Sequence, residues 1–219
     1  MALILSGDEI DYRTTKCGKY SHAEISFRCD RAIPKIEAEH LISFLEESVA
    51  DGVTYDFGQN VFFGFSILYV GGSDERRLRE PDFQSIPIAF VDSLTRTFAI
   101  QIEQRRVAEI CAPELKPDPP KLINGAFVCS DFWDSKGAVI FRQPPVENFS
   151  GWCCGCTNKS HDHVNRDNIK ETTIYEVAVR KPELIKFLGL PESVRVSLGS
   201  DEAVFTYKEK RRPVPLGDL

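Results

Sequence analysis

Four prolines fall within eight residues, Pro113-Glu114-Leu115-Lys116-Pro117-Asp118-Pro119-Pro120, near the midpoint of a 219-residue chain. Proline has no backbone N–H and a fixed φ, so neither a helix nor an inner strand can run through such a stretch. The segment, introduced by Ala112, is expected to be an extended link. It divides the chain into a domain over 1–112, a link over 113–120 and a domain over 121–219. Each half is large enough to build one small core.

Charge supports the division. Residues 1–112 hold 12 Lys/Arg and 18 Asp/Glu, whereas 113–219 hold 15 of each, so the whole net charge of −6 lies in the first half. A nucleic-acid binder of this size would show a basic excess or stripe. An acidic half suits a basic protein partner instead. Met1-Ala2-Leu3-Ile4-Leu5 is too short for a signal peptide and acids follow at once, so a cytoplasmic location is expected. The odd number of cysteines, seven, argues against a disulfide framework.

The hydrophobic pattern predicts two small α+β domains, each a mostly antiparallel sheet with one or two covering helices. In the first half, Glu24–Cys29 and Val61–Val70 read as strands, the latter stopped by Gly71-Gly72. Pro34 opens a helix with Ile36, Leu41, Phe44, Leu45 and Val49 on one face, closed at Asp51-Gly52. Ser73 to Asp82 reads as a charged loop, and Ile88–Ile110 as a long amphipathic helix. In the second half, Gly125–Ser130, Ala138–Arg142, Val194–Leu198 and Ala203–Tyr207 read as strands and Pro182–Leu188 as a short helix. The basic tail Lys208–Arg212 is expected to fray.

The sharpest chemical feature is Cys153-Cys154-Gly155-Cys156, followed by His161-Asp162-His163. Cys153 and Cys156 have the spacing that lets two thiolates share a tetrahedral metal. All four candidate ligands lie in one stretch, however, whereas structural zinc sites pair well-separated hairpins. No structural metal and no cofactor are therefore expected. The nucleophile-elbow, phosphate-loop and dinucleotide-binding patterns are missing from the sequence. No catalytic residues are assigned.

Arg142-Gln143-Pro144-Pro145-Val146-Glu147-Asn148-Phe149-Ser150-Gly151-Trp152, then Asn165-Arg166-Asp167-Asn168-Ile169 and Ile174-Tyr175-Glu176-Val177, resemble in their order the signature of a bacterial immunity-protein domain, immunity-protein family thirty-three. The resemblance covers about residues 122–200. Glu80-Pro81-Asp82-Phe83 with Pro87-Ile88 and Val91-Asp92-Ser93 resembles a region that accompanies the domain in two-domain proteins. After Ser-Gly-Trp the family continues with aromatic and acidic residues, where this chain has Cys153-Cys154-Gly155-Cys156.

The resemblance implies a non-catalytic antitoxin that neutralises a secreted toxin, with a type VI secretion nuclease as the expected effector. Combined with the charge distribution, it makes Asp74, Glu75, Glu80, Asp82 and Asp92 the expected toxin contacts. Trp152, His161, Asp162 and His163 form a second candidate surface. The rival reading is a zinc- or thiol-dependent enzyme or redox module built on Cys153, Cys156, His161 and His163.

Overall fold

The computed structural model describes residues 4–111, 113–163 and 165–219. Met1-Ala2-Leu3, the head of the apolar N-terminal run, and Ala112, the residue before the link, lie outside them. The chain forms two compact units, Ala2–Ile100 and Gln101–Leu219. The expected α+β class with two sheets is present.

The first unit has strands β1 (Glu9–Arg13), β2 (Ile25–Asp30), β3 (Asn60–Phe63), β4 (Ser66–Gly71), β5 (Arg76–Pro81) and β6 (Phe90–Val91), with helix α1 (Lys35–Ala50) between β2 and β3. The strand order is β1-β2-β5-β4-β3, with β6 on β5. Only the β2–β5 pairing is parallel. Helix α1 buries Ala38, Leu41, Leu45 and Val49 at the spacing of one helical face. Ile36 and Phe44, expected on that face, are instead exposed. The core also takes Ile25, Phe27, Leu68, Val70 and Leu78 from the strands, with Leu94 and Phe98.

Three sequence expectations change in this unit. Val61–Val70 is not one strand but a hairpin, because Gly64 takes the left-handed φ of 55° that a tight turn requires. The charged stretch from Ser73 to Asp82 is mostly β5. Its alternation puts Leu78 and Glu80 inside while Arg77 and Arg79 face the other way. The helix expected from Ile88 begins only at Thr95, because Phe90–Val91 pairs with Pro81 and Glu80 before α2 (Thr95–Cys111) starts.

The boundary between the units falls inside α2, upstream of the proline-rich segment. That segment is irregular, as its prolines require, and belongs to the second unit. Asp118 donates its N–H to Gly189 O at 2.9 Å, and the Arg142 guanidinium bonds both the Asp118 carbonyl and, at 3.1 Å, its carboxylate. The charge asymmetry survives the shift: residues 1–100 contain 10 Lys/Arg and 16 Asp/Glu, and residues 101–219 contain 17 of each.

The second unit is a seven-stranded sheet, ordered β10-β7-β9-β8-β11-β12-β13. Its strands are β7 (Gly125–Cys129), β8 (Ala138–Arg142), β9 (Phe149–Cys156), β10 (Ile169–Thr173), β11 (Arg195–Leu198), β12 (Glu202–Tyr207) and β13 (Lys210–Pro215). Helix α3 (Ile174–Arg180) and the 3-10 helix Pro182–Phe187 follow β10. Only β7–β9 is parallel. The four strands expected here are present within a residue or so. The basic tail does not fray: Lys208 and Glu209 adopt positive φ values of 44° and 66°, and β13 pairs with β12 through Pro215. Its prolines are tolerated because β13 is an edge strand.

Candidate functional site

The carboxylates expected to meet a partner divide sharply in the first unit. Glu80 is 2% exposed and caps the first turn of α2, accepting N–H bonds from Arg96 at 3.0 Å and Thr97 at 2.5 Å. Burial pushes its carboxyl up to about 7, against the lowering effect of those two bonds. It is a structural residue, not a contact. Asp92 bridges Arg28 Nη2 and Arg77 Nε, each at 2.6 Å, and Arg77 also bonds Asp11. Glu75 pairs with Arg13 at 3.3 Å, with both side chains half exposed. Asp74 is exposed and accepts from the Ser73 hydroxyl. Asp82 accepts the Gln84 N–H in the turn after β5. The presented carboxylates are thus Asp74, Glu75 and Asp82, with Asp92 half exposed inside an ion-pair network.

In the second unit the signature residues are architectural. Trp152 is completely buried and donates from Nε1 to Leu188 O at 3.1 Å, so it is not available as a surface contact. Arg142, 4% exposed, donates to Ser150 O, Leu190 O and Asp118 O. The carbonyls and the Asp118 carboxylate surround the guanidinium and compensate its burial. Ser150 Oγ bonds Gly125 O at 2.8 Å. Gly151 has φ +80°, and a Cβ there would lie 2.0 Å from Gln143 O, so only glycine fits. The motif clamps β8, β9 and the proline-rich segment together.

Opposite the Trp152 side, the sheet leaves an open groove of about 570 Å³ lined by Phe127, Phe141, Cys153, Gly155, Gln143, Arg166 and Ile169 among others. Phe141 and Ile169 are 37% and 39% exposed. Phe127 stacks on Phe149 at 4.9 Å. Cys153 belongs to this face, and burial raises its thiol pKa.

Strand geometry separates the two cysteines that the spacing had paired. Residues three apart on a strand point to opposite faces, and Cys153 is half-buried while Cys156 is buried. The partner of Cys156 is Cys129, at the end of β7, whose Sγ accepts the Cys156 N–H at 3.2 Å. The loop after β9, residues 157–163, brings His161 and His163 to the same corner, their rings 4.7 Å apart. His163 Nε2 lies 3.8 Å from Cys156 Sγ, and His161 Nδ1 lies 3.0 Å from the Asp131 carboxylate. Asp162 is exposed, and its carboxylate accepts the Asn165 N–H. Cys129 and Asp131 were missed as members of this cluster because they lie far upstream; only the β7–β9 pairing brings them close.

A mixed seven-stranded sheet with α3 and the 3-10 helix on its Trp152 side, clamped by a buried Arg–Ser–Gly–Trp set, defines the second unit as an α+β domain with one open face. Residues 103–207, a little under half of the chain, match the model of the Imm33-like domain. No curated protein and no solved structure matches the chain. No helix among the described residues is long and apolar enough to cross a membrane.

Proposed function

We propose that the protein is an immunity protein that binds and neutralises a cognate toxin, with no catalysis of its own, and acts in the cytoplasm. The observation that carries this reading is the Imm33-like match over 103–207. The net −6 of the first unit favours a basic toxin, and a type VI secretion nuclease is the effector class that suits it. The contact surface we assign is the presented carboxylate group Asp74, Glu75 and Asp82, with Asp92 beside it; Glu80 and Trp152 support the fold.

The redox alternative is weakened by geometry, since Cys153 and Cys156 occupy opposite strand faces and burial raises the Cys153 thiol rather than activating it. The open groove of Phe127, Phe141 and Ile169 is a second candidate contact, because it lies within the Imm33-like stretch.

The test uses the full chain and the toxin encoded beside it. A stoichiometric complex on size exclusion, with toxin activity lost and nothing turned over, is expected. Asp74→Lys with Glu75→Lys should weaken the complex, whereas Phe141→Asp should leave it intact. The reverse pattern moves the interface to the groove, and no complex at all overturns the reading.

A further inference from the structure

His161 is the one histidine in the described residues whose ring nitrogen is buried without any partner. Its side chain is only 6% exposed; Nδ1 is held by Asp131 at 3.0 Å, and Nε2 has no hydrogen bond. A buried polar atom without a partner is costly and rare in folded proteins. Its surroundings are rich in metal-ligating groups. The ligand atoms of Cys129, His161 and His163 lie within 4.8 Å of one another, as do those of Asp131, Cys156 and His161. Cys156 Sγ to His163 Nε2 is 3.8 Å. In a tetrahedral zinc site, with Zn–S near 2.3 Å and Zn–N near 2.0 Å, sulfur and nitrogen ligands sit roughly 3.5 Å apart. The Cys156–His163 pair is close to that spacing, and His161 is shared by both triads.

We propose that Cys129, Cys156, His161 and His163 bind one zinc ion, with Asp131 as the positioning residue that orients His161. Two thiolates and two imidazoles form the tetrahedral set that selects zinc over the oxygen-seeking cations. A carboxylate on Nδ1 fixes the proton there and leaves the Nε2 lone pair free for the metal, as such outer partners commonly do. When zinc binds, both thiols release their protons to water, and the two thiolates balance the ion's charge. The ligands come from three separate pieces: the end of β7, the end of β9 and the loop 157–163. The ion would pin that loop, which carries exposed Asp162, to two neighbouring strands. The expectation that the stretch holds no metal rested on all ligands coming from one segment, and Cys129 removes that objection. A disulfide between Cys129 and Cys156 explains less, because it leaves His161 Nε2 without a partner; all seven cysteines are free thiols.

The experiment is metal analysis of the full chain purified without chelator, followed by cobalt substitution of the stripped protein. About one zinc per chain is expected, with visible and near-ultraviolet bands of tetrahedral, thiolate-bound cobalt. Cys129→Ser and His161→Ala should lose the metal and the bands, while Cys153→Ser keeps both. Since Cys129→Ser removes a buried group and could unfold the unit, exposed His163→Ala gives the decisive readout: the fold persists by circular dichroism while zinc affinity falls at least tenfold. Metal retained at full affinity in His163→Ala, metal lost in Cys153→Ser, or no metal together with a Cys129–Cys156 disulfide by mass spectrometry would each overturn the proposal.

Discussion

In the first unit, Asp92 is held by Arg28 and Arg77, Arg77 also bonds Asp11, and Arg28 Nε has Glu9 at 3.7 Å. In the second, His161 Nε2 is buried with nothing to bond, beside two thiols and a second imidazole. Both clusters gather polar side chains from distant parts of the sequence. The difference lies in the atoms left over: Arg28 Nε, buried without a hydrogen bond, is a cationic donor facing carboxylates, whereas His161 Nε2 faces thiols and an imidazole. A network whose charges compensate one another holds strands together and asks for no ligand, whereas an orphaned lone pair among soft donors is incomplete without a cation. The chemistry of an unmatched atom and of its neighbours is therefore a better guide to a binding site than the density of charge along the sequence.

The largest expected effect concerns the satisfied core of the second unit. Trp152→Ala removes a completely buried indole and strands the Leu188 carbonyl that it bonds. Urea unfolding should show a loss of about 3–5 kcal/mol. A loss below about 1 kcal/mol would mean that the Ser-Gly-Trp motif does not clamp the fold and would return Trp152 to the list of contacts.

The α+β class and part of the strands were legible because they follow from local periodicity: β8 coincides with its alternation and α1 with its helical span, although Ile36 and Phe44 point outward, whereas β1, β6, β9, β10 and β13 were not read as strands. The charged stretch up to Asp82 misled because β5, although flanked by β2 and β4, alternates Arg77 and Arg79 with Leu78 and Glu80 instead of carrying an apolar stripe. Glu80 looked like a surface acid for the same reason; only the start of α2 against β5 makes it a cap. Cys153 and Cys156 looked paired because spacing was read without a secondary structure, and on β9 the same spacing separates them. The pairing with Cys129 depends on a parallel β7–β9 contact, which no local pattern announces.

The second effect tests whether a buried carboxylate in the first unit is as satisfied as its bonds suggest. Glu80 is pushed by burial to about 7 in the fold, against an ordinary 4.5 when unfolded. Below pH 4.5 both states hold the proton and the group contributes no pH dependence. Between 4.5 and 7 only the folded state keeps it, so stability falls as pH rises, by about 3 kcal/mol once above 7. Glu80→Gln should flatten this slope when urea unfolding is compared at pH 5 and pH 7.5. A wild-type protein whose stability rises over that window would show that the N–H bonds from Arg96 and Thr97 outweigh burial.

A smaller effect probes the ion-pair network. Asp92→Asn leaves Arg28 and Arg77 without their shared carboxylate, but the site is about one-third exposed, so screening limits the loss to about 1 kcal/mol. The loss should shrink further in high salt. A salt-independent loss of several kcal/mol would mean the network is effectively buried and would blur its contrast with the presented carboxylates.

The smallest effect on the fold should come from Asp74→Lys combined with Glu75→Lys, and its value lies in that smallness. Asp74 bonds only its neighbour Ser73 among the contacts described, and Glu75 makes a half-exposed pair with Arg13. Exposed pairs of this kind contribute about 0–1 kcal/mol, so unfolding should change by no more than about 0.5 kcal/mol. Reversing two charges in a unit of net −6 nonetheless removes much of the field that would draw in a basic toxin. Rim charges act on association rather than dissociation. Stopped-flow binding should therefore show association slowed about tenfold or more at low salt, nearly equal rates at high salt, and an unchanged dissociation rate. An unchanged association rate at low salt would show that these carboxylates are as uninvolved in binding as the paired ones, and would leave the open face around Phe141 to account for recognition.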